Sequence, residues 1–210
     1  MQLALRTYVA LSATLAAPLA ADQADQVITV MVYNYARIPQ AVLAQTEREA
    51  ARIYRRGGIA VEFQDCPLTA QDAALFPACQ GTAGPARLAV RILPREIAER
   101  LRQVQESYGF ALYPEDGGFA FIANVFAHDA GLLAERHGLQ HGVVLGHLLA
   151  HEMGHLLLGS GSHASSGIMH AVWRGPELQT MATGQMLFST GELEEMRRNI
   201  AARGTVAQGR

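Results

Sequence analysis

The residues best suited to chemistry are His151-Glu152-Met153-Gly154-His155, which run on through Leu156-Leu157-Leu158-Gly159-Ser160-Gly161-Ser162 to His163. Two histidines four positions apart on a helix lie one above the other on the same face, about 5–6 Å apart at Cβ. That spacing lets two imidazoles grip one zinc ion. A glutamate directly after the first histidine falls to one side of such a metal, where it can take a proton from a water rather than act as a ligand. His163, arriving after a glycine-rich reversal of the chain, is placed to be a third ligand. The metal ligands read from the sequence are therefore His151, His155 and His163, with Glu152 as the catalytic base.

The surrounding composition supports this reading. Val143–Leu158 is apolar apart from three histidines and Glu152, so a helix there is buried nearly all round. A buried carboxylate without a partner is costly, and a metal with its water would supply one for Glu152. Gly159 and Gly161 give a helix stop that allows the backbone to turn back. Ser166-Gly167-Ile168-Met169 follows shortly after.

These residues resemble the metzincin clan of zinc peptidases, whose pattern is HExxHxxGxxH followed by a tight turn carrying a methionine beneath the metal. His151, Glu152, His155 and Met169 match directly, and His163 corresponds to the third ligand. Gly159 comes one residue late and His163 two residues late, and Ala171 stands where a tyrosine often follows the methionine. The resemblance is strongest over 151–170. It implies a peptidase in which Met169 forms an apolar floor rather than a ligand, although a plain core methionine would look the same. A gluzincin-type site, with a downstream glutamate ligand, would draw on Glu177, Glu192, Glu194 or Glu195. An aspartate third ligand is excluded, because the last aspartate is Asp129. His147, one turn before His151, suits a hydrogen-bonded core position. His170 could reach the cleft, and Trp173 could pack the lower part of the fold or line a substrate pocket. A zinc-binding protein without turnover, and a hydrolase of non-peptide amides or esters, are the competing functions.

Composition narrows the setting. The chain has 210 residues, half of them hydrophobic and 17% charged, with a formal net charge of −2. All 17 basic residues are arginine, and they form no basic footprint for nucleic acid. Residues 1–21 have the form of a secretory signal: Arg6, an apolar stretch Thr7–Leu19, and Leu19-Ala20-Ala21 before Asp22. Removing it takes the charge from −2 to −3, since Arg6 is its one charge. The expected location is secreted or periplasmic, with no integral membrane segment after cleavage. Cys66 and Cys79 are expected to pair in that oxidising setting, a constraint worth roughly 3 kcal/mol. The expected partner is a peptide or protein substrate, and the chain is expected to be monomeric.

The elements that must position the site follow from periodicity. Strands are predicted at Val27–Tyr35, Ile59–Gln64, Arg87–Leu93 and Phe119–Phe126, and helices at 39–56, 94–105, 129–137, 141–158 and from about 190 to 203. The stretch from the methionine turn to Phe188 reads as irregular, and Ser189-Thr190-Gly191-Glu192 as a capping box. The expected fold class is α+β, and the resemblance implies a mixed twisted sheet packed against a long N-terminal helix and the metal-binding helix, with a small irregular C-terminal subdomain ending in a helix. By resemblance, one metzincin-like zincin domain spans 22–210, upper part 22–160 and lower part 161–210. In such enzymes an edge strand pairs with extended substrate. Phe119–Phe126 would take that place, or be an ordinary core strand.

Overall fold

A computed structural model of the chain describes residues 26–80, 83–84, 87–102, 108–114 and 119–208. The expected leader, residues 1–21, lies outside them. Among the described residues the fold is a five-stranded mixed sheet with seven α-helices. The sheet order is β2-β1-β3-β5-β4. Strands β1 (Gln26–Asn34), β2 (Ile59–Asp65), β3 (Arg87–Leu93) and β5 (Ile122–Phe126) pair in parallel. Strand β4 (Gly109–Leu112) runs antiparallel along β5.

Strict alternation sends Ile28, Val30 and Val32 of β1 to one face, with Leu88, Val90 and Ile92 of β3 and Ala123 and Val125 of β5. Onto that face pack α1 (Gln40–Arg56) and α5 (His141–Leu158), sharing one apolar core. The Tyr54 hydroxyl on α1 donates to the Ala150 carbonyl on α5 at 2.9 Å, fixing the two helices in register. On the opposite face Cys66 and Cys79 form a disulfide, as expected, beyond the end of β2. The remaining helices are α2 (Ala70–Ala73), α3 (Arg95–Arg102), α4 (Ala127–His137), α6 (Gly175–Ala182) and α7 (Thr190–Gln208).

Three differences from the sequence reading have physical causes. The strand before the metal helix is interior, flanked by β3 and β4, so of its two readings the core strand holds. The edge on that side of the sheet is β4, whose four residues are too few to show an alternation. The stretch read as irregular contains α6, which Pro176 at the helix start and Glu177 capping the Arg174 N–H hold in place. At the C-terminus α7 continues past Arg203 to Gln208.

Candidate metal centre

Helix α5 carries His151 and His155 on one face, both buried. It ends at Gly159, and the chain returns through Ser160–Ser162 so that exposed His163 faces the other two rings. The Nε2 atoms of His155 and His151 are 3.1 Å apart, and those of His155 and His163 are 3.2 Å apart. All three ligand atoms lie within 4.8 Å of one another. Tetrahedral ligation at about 2.0–2.1 Å sets ligand nitrogens roughly 3.3 Å apart, so the spacing fits one small cation. Among the described residues this is the one such group of histidine, cysteine or acidic side chains.

The far side of each buried ring is held. His151 donates from Nδ1 to the Ile168 carbonyl at 2.7 Å, which leaves a bare lone pair on Nε2. His155 pairs through Nδ1 with Ser162 Oγ at 2.9 Å, so the residue just before the third histidine orients the second. Burial pulls His151 down to about 4, opposed by its bond to Ile168 and helped by His163. Burial, followed by repulsion from His151 and His163, pulls His155 down to about 3. Both rings are thus neutral at physiological pH, the form in which an imidazole can bind metal.

Glu152 is 4% exposed, and its Oε2 has no hydrogen-bond partner. Burial pushes its carboxyl up to about 8. The carboxylate sits against Gly109 of β4, where a Cβ would lie 2.7 Å from Oε1, so only glycine fits at that position. A buried carboxyl with one oxygen unpartnered, next in sequence to one of three converging imidazoles, is what a group poised beside a cation would show.

Beneath the ligands, Met169 is fully buried, its sulfur packed on Gly154, where a Cβ would come within 2.5 Å of Sδ. The turn that delivers it is pinned by His170 N–H to the Gly167 carbonyl and by Ala164 N–H to the Met169 carbonyl. Trp173 packs edge-on against His151 at 5.8 Å and His147 at 6.4 Å. His147 is a core histidine, donating from Nδ1 to the Val143 carbonyl at 2.9 Å. His170 faces Glu177 at 3.1 Å. Glu177 is thereby committed to His170 and to the Arg174 N–H, and Glu192 to the Ser189 N–H, away from the histidine cluster.

Sequence reasoning missed the residues that receive the last carbonyls of α5. Tyr113 Oη donates to His155 O at 2.9 Å, Arg203 to Leu156 O, and Asn199 Nδ2 to Leu157 O at 2.8 Å. Orphan carbonyls at a helix C-terminus need such donors. The spacing of Asn199 and Arg203, four apart on one face of α7, was a signal, though nothing in the sequence pointed it at α5. Arg203 is 1% exposed and also lies over the Phe119 ring at 4.4 Å.

No protein-family model and no curated protein matches this chain. Two solved structures are similar to it. One is a zinc-dependent peptidase from Methanocorpusculum labreanum (strain Z), 14% identical, with a TM-score of 0.49 over 80% of this chain and 99% of that one. The other is archaemetzincin from Methanopyrus kandleri, 16% identical, with a TM-score of 0.46 over 84% of this chain and 97% of that one.

Proposed function

We propose that the protein is an exported zinc metallopeptidase of metzincin type. The observation that carries this reading is the convergence of His151, His155 and His163 beside the buried Glu152 carboxyl, one oxygen of which has no partner. Three neutral imidazoles suit zinc and leave a fourth position free. Zinc bound there would act as a Lewis acid, acidifying a water and polarising a substrate carbonyl. The residues of the chain divide the remaining work. With a cation beside it favouring the ionised form, Glu152 would take a proton at its carboxylate and pass it to the leaving amine. Ile168 O and Ser162 fix the ring orientations of His151 and His155. Strand β4, as the antiparallel edge beside α5, offers backbone donors and acceptors to an extended peptide.

Residues 1–21 and the Cys66–Cys79 bridge support export. N-terminal sequencing of the exported protein should begin near Asp22. For the activity, purified protein should hold about one zinc and cleave a mixed peptide library. Glu152→Ala should keep the zinc and lose the cleavage. Zinc-loaded wild-type protein that cleaves nothing would leave a metal-binding protein without turnover, and wild-type rates in Glu152→Ala would end the mechanism.

A further inference from the structure

The sheet has a second face, opposite to the one that carries the metal helix. The alternation that buries Val30, Val32, Val90 and Ile92 under α1 and α5 turns Met31, Tyr33, Ala89 and Arg91 the other way. One end of this outer face is closed by the Cys66–Cys79 bridge, packed on Met31 and Ala89. Further along the same face Ala98 of α3 packs with Leu93 and Phe126. Met31, Tyr33, Ala89 and Arg91 line a cavity of about 670 Å³, a size that suits a small organic ligand.

Its walls are aromatic and apolar. Tyr33 and Tyr35 stack at 6.3 Å with an interplanar angle of 18°, and Leu112 and Phe121 stand opposite. Tyr35 and Leu112 remain 41% and 42% exposed, so apolar surface is left uncovered at the mouth. Arg91 is the one charged residue of the lining. It is half-buried on the central strand β3, in register with Tyr33 on one side and Asn124 on the other. Among the described residues no carboxylate pairs with it. Asn124 is 2% exposed and keeps an amide Nδ2 without a partner. An apolar cavity whose one charged lining group is a guanidinium with no carboxylate partner among the described residues is complementary to one planar anion attached to an apolar body.

We propose that this outer-face cavity binds a free carboxylate carried on an aromatic body, as at the C-terminus of a peptide ending in phenylalanine. Arg91 holds the carboxylate, and the tyrosine pair receives the ring. The cavity takes in none of the three histidines and does not rest on the peptidase reading, although Tyr113 of its lining also donates to the His155 carbonyl.

The probes are N-acetyl-L-phenylalanine and N-acetyl-L-phenylalaninamide, titrated calorimetrically into the full-length protein, both zinc-loaded and after chelation. The acid should bind about 10-fold or more tightly than the amide, as a charge-assisted pair requires, and chelation should leave that preference intact. Arg91→Gln should bring the acid down to the level of the amide without changing peptide cleavage. Tyr35→Ala, at the exposed rim, should weaken acid and amide together, and it keeps the test open should Arg91→Gln fail to fold. Equal affinity for acid and amide overturns the proposal. So does a preference that vanishes on chelation, which would put the carboxylate at the histidines, or one that survives in Arg91→Gln.

Discussion

The two halves of α5 are built from nearly the same residues and end in opposite states. In the first half, His147 is fully buried, gives its Nδ1 proton to Val143 O, and has Glu49 at 3.6 Å. That histidine is anchored by its own helix and by α1. In the second half, His151 and His155 are just as apolar in their surroundings, yet their holding bonds come from beyond the helix, from Ile168 and Ser162. Their Nε2 atoms turn toward each other and toward His163. Glu152 shares that half and has a carboxyl oxygen with no partner at all. The difference teaches that burial alone does not mark a histidine that could hold a metal ion. What marks it is an anchored Nδ1 with an unspent Nε2 aimed at other unspent donors.

Substituting within the second half should therefore have effects that the first half cannot show. The largest is expected for Glu152→Gln, which keeps shape and removes the base. Peptide cleavage should fall about 10²–10⁴-fold while zinc content stays at the wild-type level, read by metal analysis alongside a fluorogenic assay. Retained cleavage would mean that the unpartnered carboxyl is idle. Next comes His163→Ala, expected to weaken zinc binding by more than about 100-fold, beyond the usual cost of a lost supporting bond. His147→Phe, by contrast, should leave zinc affinity within about 10-fold, since His147 points its bonds elsewhere. Competition titrations against a chelator dye measure both, and a comparable loss in the two variants would erase the contrast between the halves.

The same division decides what could be read without coordinates. His151, Glu152 and His155 were legible because one helix fixes their mutual placement, so spacing alone implies geometry. His163 was legible only through the glycines around it, and the structure brings it in despite its late position. The parallel strands and the helices α1 and α5 followed from periodicity, since each buries a continuous face. Strand β4 was not legible: Gly109-Phe110-Ala111-Leu112 has no pattern of its own and becomes a strand by pairing with β5. Gly109 is informative only in three dimensions, where the missing side chain makes room for Glu152. The donors Tyr113, Asn199 and Arg203 act over 42 or more residues of separation, a distance that local pattern does not encode.

Acidity acts on the buried histidines of both halves with one sign, since burial lowers His147 as well, and on Glu152 with the other. Burial holds His151 and His155 at about 4 and about 3, below the ordinary 6.5. The unfolded chain then binds protons first, so the metal-free protein should lose stability as pH falls below about 6.5. Glu152 works with the opposite sign. Raised by burial from 4.5 to about 8, it keeps its proton longer when folded, so stability should fall as pH rises through that window. Glu47, raised to about 8 by burial and by Asp65, adds to the same decline. Thermal melts of chelated protein from pH 4 to 9 should show both limbs. Glu152→Gln should flatten part of the alkaline limb and leave the acid limb in place. An alkaline decline of unchanged steepness would show that Glu152 ionises freely and is not confined as described.

The smallest expected effect tests whether the second half depends on what lies outside it. The Leu157 carbonyl has no intrahelical partner at the end of α5, and Asn199 Nδ2 supplies one at 2.8 Å. Asn199→Ala removes the donor and leaves a shielded carbonyl, a change worth about 1 kcal/mol in denaturant unfolding. If the bond only adds stability, metal-free and zinc-loaded protein should lose the same amount. If it holds the last turn in place for the ligands, the loss should be larger in the zinc-loaded protein, because zinc affinity falls as well. The second result is expected, since the His155 and Leu156 carbonyls beside it are held from outside in the same way, and His163 follows within six residues of Leu157. Equal losses in the two forms would confine Asn199 to ordinary helix capping and leave the orientation of the ligands to Ile168 and Ser162 alone.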